Sequence, residues 1–248
     1  MSRADVERAE LRRAIERLYE TFAIYPLRAS MSSCPHCHEP DDEHKLRARP
    51  LRELTSDDLA AYAASATLTW GDELDFKHFL PRIFELAATG DLDGPDLEVV
   101  YATPGRAGWR AWPIAEQRAV EEYLLASWRV TLAEFPSTHD AGVVLCAIAQ
   151  SVTDMRPFLG AWRDAEGQAP ARHLAALLWR DGNHLVRAGS LSNAFWSSEQ
   201  RVQQEQIRDW LRDPEVHARL ESAFFAATSS DVAEVLSTAV AILEAVRR

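Results

Sequence analysis

Lysine is nearly missing from this 248-residue chain: Lys45 and Lys77 stand against 25 arginines, and no run of five basic residues occurs. The 27 basic residues are outnumbered by 38 acidic ones, for a net charge of −11 with His neutral. So acidic a surface repels phosphate backbones, and nucleic acid is not the expected partner. Long apolar runs are lacking too. None approaches the roughly 18 residues that a membrane span requires, so no membrane association is expected. The β-branched residues are few, 15 Val and 7 Ile against 39 Ala and 27 Leu. That balance favours helix over sheet. Only three cysteines occur, and 10 Gly and 12 Pro are too few for a collagen-like or disordered chain. Residues 1–18 carry charge at every turn and show no apolar signal-peptide core, so a cytoplasmic location is expected. In a reducing compartment a structural disulfide is not.

Most catalytic signatures are missing as well. There is no phosphate-binding or dinucleotide glycine loop and no nucleophile-elbow serine. The zinc-protease pattern fails because His38-Glu39 is followed by Pro40-Asp41-Asp42. The deaminase pattern fails because no Pro-Cys-x-x-Cys follows a His-x-Glu. Asp91-Leu92-Asp93-Gly94 has the start of a calcium loop, but Pro95 occupies the next ligand position, and a turn is expected there.

What is present is helical periodicity. Leu11, Ile15, Leu18 and Phe22 mark a helix over about 4–23, ended by Tyr25-Pro26. Thr55, with Asp58 three residues on, opens a second helix in capping-box style. Asp72 caps a third, which is expected to kink or restart at Pro81. Residues 89–96 form a turn-rich joint, and the domain reading is 1–90 followed by 91–248. Beyond it, Pro113 suits the first position of a helix that carries Val120, Leu124, Trp128 and Leu132 at intervals of four, and further helices are expected over 137–151, 154–163, 169–187, 197–212, 214–227 and 230–247. Short joints such as Asp213-Pro214 favour antiparallel neighbours. The expected fold is all-α: stacked antiparallel helix pairs in a HEAT-like or irregular array, with a metal-stapled loop near the N-terminus. Trp-Arg pairs at 109, 128, 162 and 179 are read as core tryptophans beside exposed arginines. Cys146, in an apolar run, is read as a core residue.

Residues 28–50 lack hydrophobic period and are expected to be a loop that needs a function or a staple. Cys34-Pro35-His36-Cys37 lies within it. Two thiols two residues apart can share one metal, and zinc then needs two further ligands. His36 and His38 are too close to fold back onto that metal. His44 is far enough, and His78, on the helix begun at Asp72, would bridge loop to helix. The expected ligands are Cys34, Cys37, His78 and His44, with zinc favoured by the soft thiolates. The same tetrapeptide also occurs in thioredoxin-fold thiol oxidases. There it follows a strand and opens an amphipathic helix, and neither flank fits here.

Several segments taken together form a recognisable set: Cys34-Pro35-His36-Cys37, Pro50-Leu51-Arg52-Glu53-Leu54, Thr69-Trp70-Gly71, Asp75-Phe76-Lys77-His78-Phe79-Leu80-Pro81-Arg82, Gly108-Trp109-Arg110 and Trp112-Pro113 with Glu116-Gln117. The set resembles an uncharacterised family of bacterial helical proteins of this size, over roughly residues 20–130. The resemblance implies that Cys34, Cys37 and His78 belong to one arrangement. It implies no activity.

The expected function is non-enzymatic: a zinc-stapled module that binds a protein partner. An immunity- or antitoxin-type inhibitor is one version, because an acidic surface steers capture of a basic partner. Two alternatives follow from the same segment. One is a zinc-dependent hydrolase with three protein ligands and water in the fourth position; the other is a thiol–disulfide redox protein.

Overall fold

The computed structural model describes residues 2–34, 36 and 40–247. The protein is all-helical, with no strand among the described residues. It forms two compact units, Arg8–Ser127 and Trp128–Arg248, the latter joined by Met1–Glu7. No helix of the described residues is long and apolar enough to cross a membrane.

In the unit Arg8–Ser127 the chain order is α1 (Arg3–Phe22), α2 (Pro40–Leu46), α3 (Ser56–Ser65), α4 (Glu73–Thr89), α5 (Leu97–Arg106) and α6 (Ile114–Ala133). The turn at 89–96 connects α4 to α5 within this unit. α3 begins as its sequence dictates: Asp58 accepts the backbone N–H of Thr55 at 2.8 Å, closing the capping box. α2 departs from expectation, since 28–50 contains a helix as well as loop. Its order of charge explains it, with Asp41, Asp42 and Glu43 in the first turn and His44 and Lys45 in the last, matching the helix dipole. Buried Leu46 ties it down.

α4 does not restart at Pro81 but continues through it. An interior proline costs about 3 kcal/mol. Phe76, Phe79, Leu80, Ile83 and Phe84 surround it and are all buried, which offsets that cost. Three hydroxyls run through the core behind α4. Tyr123 donates to the Phe84 carbonyl at 2.7 Å, and Tyr101 lies 3.0 Å from Tyr123 and 3.2 Å from Ser127. The Tyr101 and Tyr123 phenols are thereby satisfied.

In the unit that begins at Trp128, the end of α6 leads to α7 (Ala141–Ala149), α8 (Arg156–Asp164), α9 (Gln168–Ala188), α10 (Arg201–Arg212), α11 (Pro214–Phe225) and α12 (Ser230–Arg247). Asp140 caps α7, accepting from Gly142 N–H at 2.8 Å. Cys146 is fully buried, as its apolar run predicts. Trp128 anchors this core, donating its indole N–H to the Phe158 carbonyl at 2.8 Å and meeting Trp162 edge-on at 5.2 Å. α9 and α12 pack closely. Gly182 permits it, because a Cβ there would lie 2.6 Å from the Ile242 side chain.

Candidate functional site

The polar heart of the first unit is an antiparallel apposition between residues 25–34 and the start of α4. It begins at Gly71, whose φ of +68° and position 2.9 Å from the Asp75 Cβ, measured from where a Cβ would stand, exclude any side chain. Gly71 N–H donates to the Ser32 carbonyl at 2.7 Å, and Cys34 N–H donates to the Thr69 carbonyl at 2.8 Å. One turn into α4, buried Asp75 accepts the Arg28 guanidinium on both oxygens, Nε at 2.8 Å, and Asp72 joins it at 2.7 Å. Those carboxylates raise the Arg28 pKa further. Arg28 in turn lowers that of Asp72 against the pull of its partial burial. Two turns into α4, His78 donates Nδ1–H to the Tyr25 carbonyl at 2.8 Å. Burial lowers its pKa, so the ring is neutral with its lone pair on Nε2.

Beside His78, Lys77 is buried although it is one of only two lysines. Its ammonium lies 2.7 Å from Glu73 and 3.0 Å from buried Glu116, and 4.4 Å over the Trp112 ring. Tyr25 O–H donates to the other Glu116 oxygen at 2.5 Å. Burial alone would depress the Lys77 pKa; Glu73, Glu116 and Tyr25 outweigh it, and the net shift is upward. The Lys77 proton is therefore held, and the cluster acts as a cross-link. Trp70 and Trp112, at the helix joints, are both buried.

The expected metal ligands fall on this frame at different places. Cys34 sits at its Thr69 end, half-buried, and His78 at its Tyr25 end. His44 is exposed on α2. Cys37 lies outside the described residues, as does His38. Asp75, the carboxylate one turn before His78, is taken by Arg28. Among the described residues no three His, Cys, Asp or Glu side chains converge.

The second unit holds the exposed aromatic surface. Trp109, Trp128 and Trp162 are buried as the Trp-Arg pattern predicts, but Trp179 is 75% exposed. The reason is register. The buried stripe of α9 runs through Leu174, Leu178 and Leu185, and position 179 lies about 100° around the helix from 178. Trp179 forms one wall of a groove of about 520 Å³ between α9 and α12, over Ala175, Ala176 and Ala239. Val235, 54% exposed, faces the same groove, with Asp231 and Glu234 beside it. Arg172 stacks 4.2 Å over Phe135, which also lines the groove. Set against protein-family models, curated proteins and solved structures, the chain matches none.

Proposed function

We propose that the protein is a non-enzymatic module that captures a protein partner in the α9–α12 groove. The exposure of Trp179 on an apolar groove carries this reading. A large aromatic ring left in water at a concave apolar site is a typical anchor of recognition. Asp231 and Glu234 beside the groove, and a net charge of −11, favour a partner segment with apolar residues on one face and Lys or Arg on the other. An amphipathic helix has that character. The stacking of α8 to α12 as neighbouring helices suits the array-like architecture expected for such modules. The test is titration with a Leu/Lys amphipathic helical peptide, read by nuclear magnetic resonance. Saturable shifts at α9 and α12 that disappear in Trp179→Ala are expected. Equal binding by the variant would overturn the assignment of the groove.

The zinc staple belongs to the same proposal, with Cys34 and Cys37 as thiolates and His78 and His44 as the histidines to complete it. Its support is the His78 tautomer: a histidine that gives one N–H to a backbone carbonyl presents its other nitrogen as a ligand, as metal-bound histidines do. The zinc would then stiffen the 28–50 segment, leaving recognition to the second unit. Elemental analysis of reduced, tag-free protein should find stoichiometric zinc, and metal-free folded protein would remove the staple from the proposal.

A further inference from the structure

We infer that the α9–α12 groove also pairs with the same groove of a second copy of this chain, each Trp179 entering the other's groove. The pairing stands independently of peptide capture; only its regulatory consequence rests on that reading. Helix direction sets the geometry. Gly182 on α9 abuts the Ile242 side chain on α12. From that contact the groove runs back toward Arg172 on α9 and Asp231 on α12, so the two helices are parallel. At about 1.5 Å per residue, Arg172 stands about 15 Å before Gly182. On the same scale, Glu234 and Asp231 stand about 12 Å and about 17 Å before Ile242. Arg172 is therefore level with the two carboxylates on the opposite wall.

These charges line one groove yet do not pair within one copy. Among the described residues, Arg172 rests on the Phe135 ring and meets no carboxylate, Glu234 meets no cation, and Asp231 accepts only from the Ser230 hydroxyl. A twofold axis along the groove exchanges the walls, setting α9 of one copy against α12 of the other at the same level. Arg172 of each copy then meets Asp231 and Glu234 of the other. Trp179, 75% exposed, is level with Ala239, a small residue, so each ring finds room on the other copy's α12. A self-paired patch must complement itself, and here apolar meets apolar and each sign meets its opposite. A basic peptide answers the acidic wall alone and leaves Arg172 without a carboxylate. Pairing shuts the groove, so a protein partner has to part the dimer, and capture weakens as the chain is concentrated.

Sedimentation equilibrium of the full chain should show monomer and dimer with a Kd of about 10–100 μM, as suits a small interface with charges at its rim. Trp179→Ala, Arg172→Glu, and Asp231→Arg combined with Glu234→Arg should each weaken the dimer about tenfold or more. An equimolar mixture of the two charge-reversed chains should form a heterodimer of wild-type affinity, because every charge across the groove again meets its opposite. Circular dichroism checks that each chain is folded; if a charge-reversed chain is not, Trp179→Ala, at an exposed ring, still decides. A wild-type chain that stays monomeric at about 500 μM would overturn the inference. So would a dimer that Trp179→Ala leaves intact, or one that mixing the folded chains does not restore. The Leu/Lys peptide is titrated separately into monomeric Arg172→Glu, where it should bind at least as tightly as to wild type. Peptide binding without any wild-type dimer refutes the pairing and spares the capture reading; a groove-dependent dimer without peptide binding does the reverse.

Discussion

The Lys77 ammonium lies 3.0 Å from the Glu116 carboxylate, with both side chains almost wholly out of water. α4 and α6 are thus joined by a buried charge pair, and removing either member leaves the other's charge only partly compensated. Glu116→Ala should destabilise the first unit by about 3 kcal/mol, at the low end for a broken buried pair because Glu73 still reaches Lys77. Lys77→Met combined with Glu116→Leu should recover most of the loss. Urea titration checks both, and a single variant as stable as wild type would refute the cross-link.

Trp128 and Trp179 make a matched contrast in the second unit. Truncating buried Trp128 to Ala removes a hydrogen-bonded ring from a packed core and should cost about 3–5 kcal/mol. Trp179→Ala should stay within about 0.5 kcal/mol of wild type, as exposed positions do. Thermal melts of the two variants test the difference.

Acid should weaken the fold in a defined window. Burial lowers the folded-state pKa of His78 and of His173, the latter donating Nε2–H to the Glu134 carbonyl at 2.7 Å. Each ring therefore binds fewer protons folded than unfolded between its lowered pKa and the unfolded value of about 6.5. Stability is full above that value and falls as the pH drops through it toward the folded pKa. The denaturation midpoint should drop as the pH is lowered from neutrality through about 6.5, and His173→Gln, whose amide can still donate to Glu134, should flatten part of the slope. A pH-independent midpoint across that range would contradict the burial of both rings.

The zinc proposal makes a proteolytic prediction. Residues 28–50 carry little apolar surface, and ordering costs about 1–2 kcal/mol per residue for backbone alone. Chelation, Cys34→Ser or Cys37→Ser should therefore expose cleavage sites within 28–50 while α7 to α12 stay protected. His78→Ala should share that phenotype. If His44→Ala alone matches the cysteine variants, the staple stands and His78 serves only the Tyr25 carbonyl.

Local chemistry was legible in the sequence wherever one residue and its near neighbours suffice. Thr55 and Asp72 announce their helices because a cap needs only the following three residues. α2 runs against the loop expected over 28–50: its only signal is the order of its charges, and the segment has no hydrophobic period to reinforce it. Lys77 was not, because its partners Tyr25, Trp112 and Glu116 come from distant segments that only the fold assembles. Trp179 departs from the core position expected of it because its register on α9, not its residue type, sets its exposure.

Gly182 carries a consequence for how this chain can vary through descent. With Ile242 filling the space where its side chain would begin, position 182 can gain a methyl group only after 242 has shed one. The two positions should drift as a pair, relatives with Ala at 182 bearing Ala at 242, since Val keeps the γ-methyl that stands in the way. That lineage constraint would be visible as covariation at two places that belong to no motif.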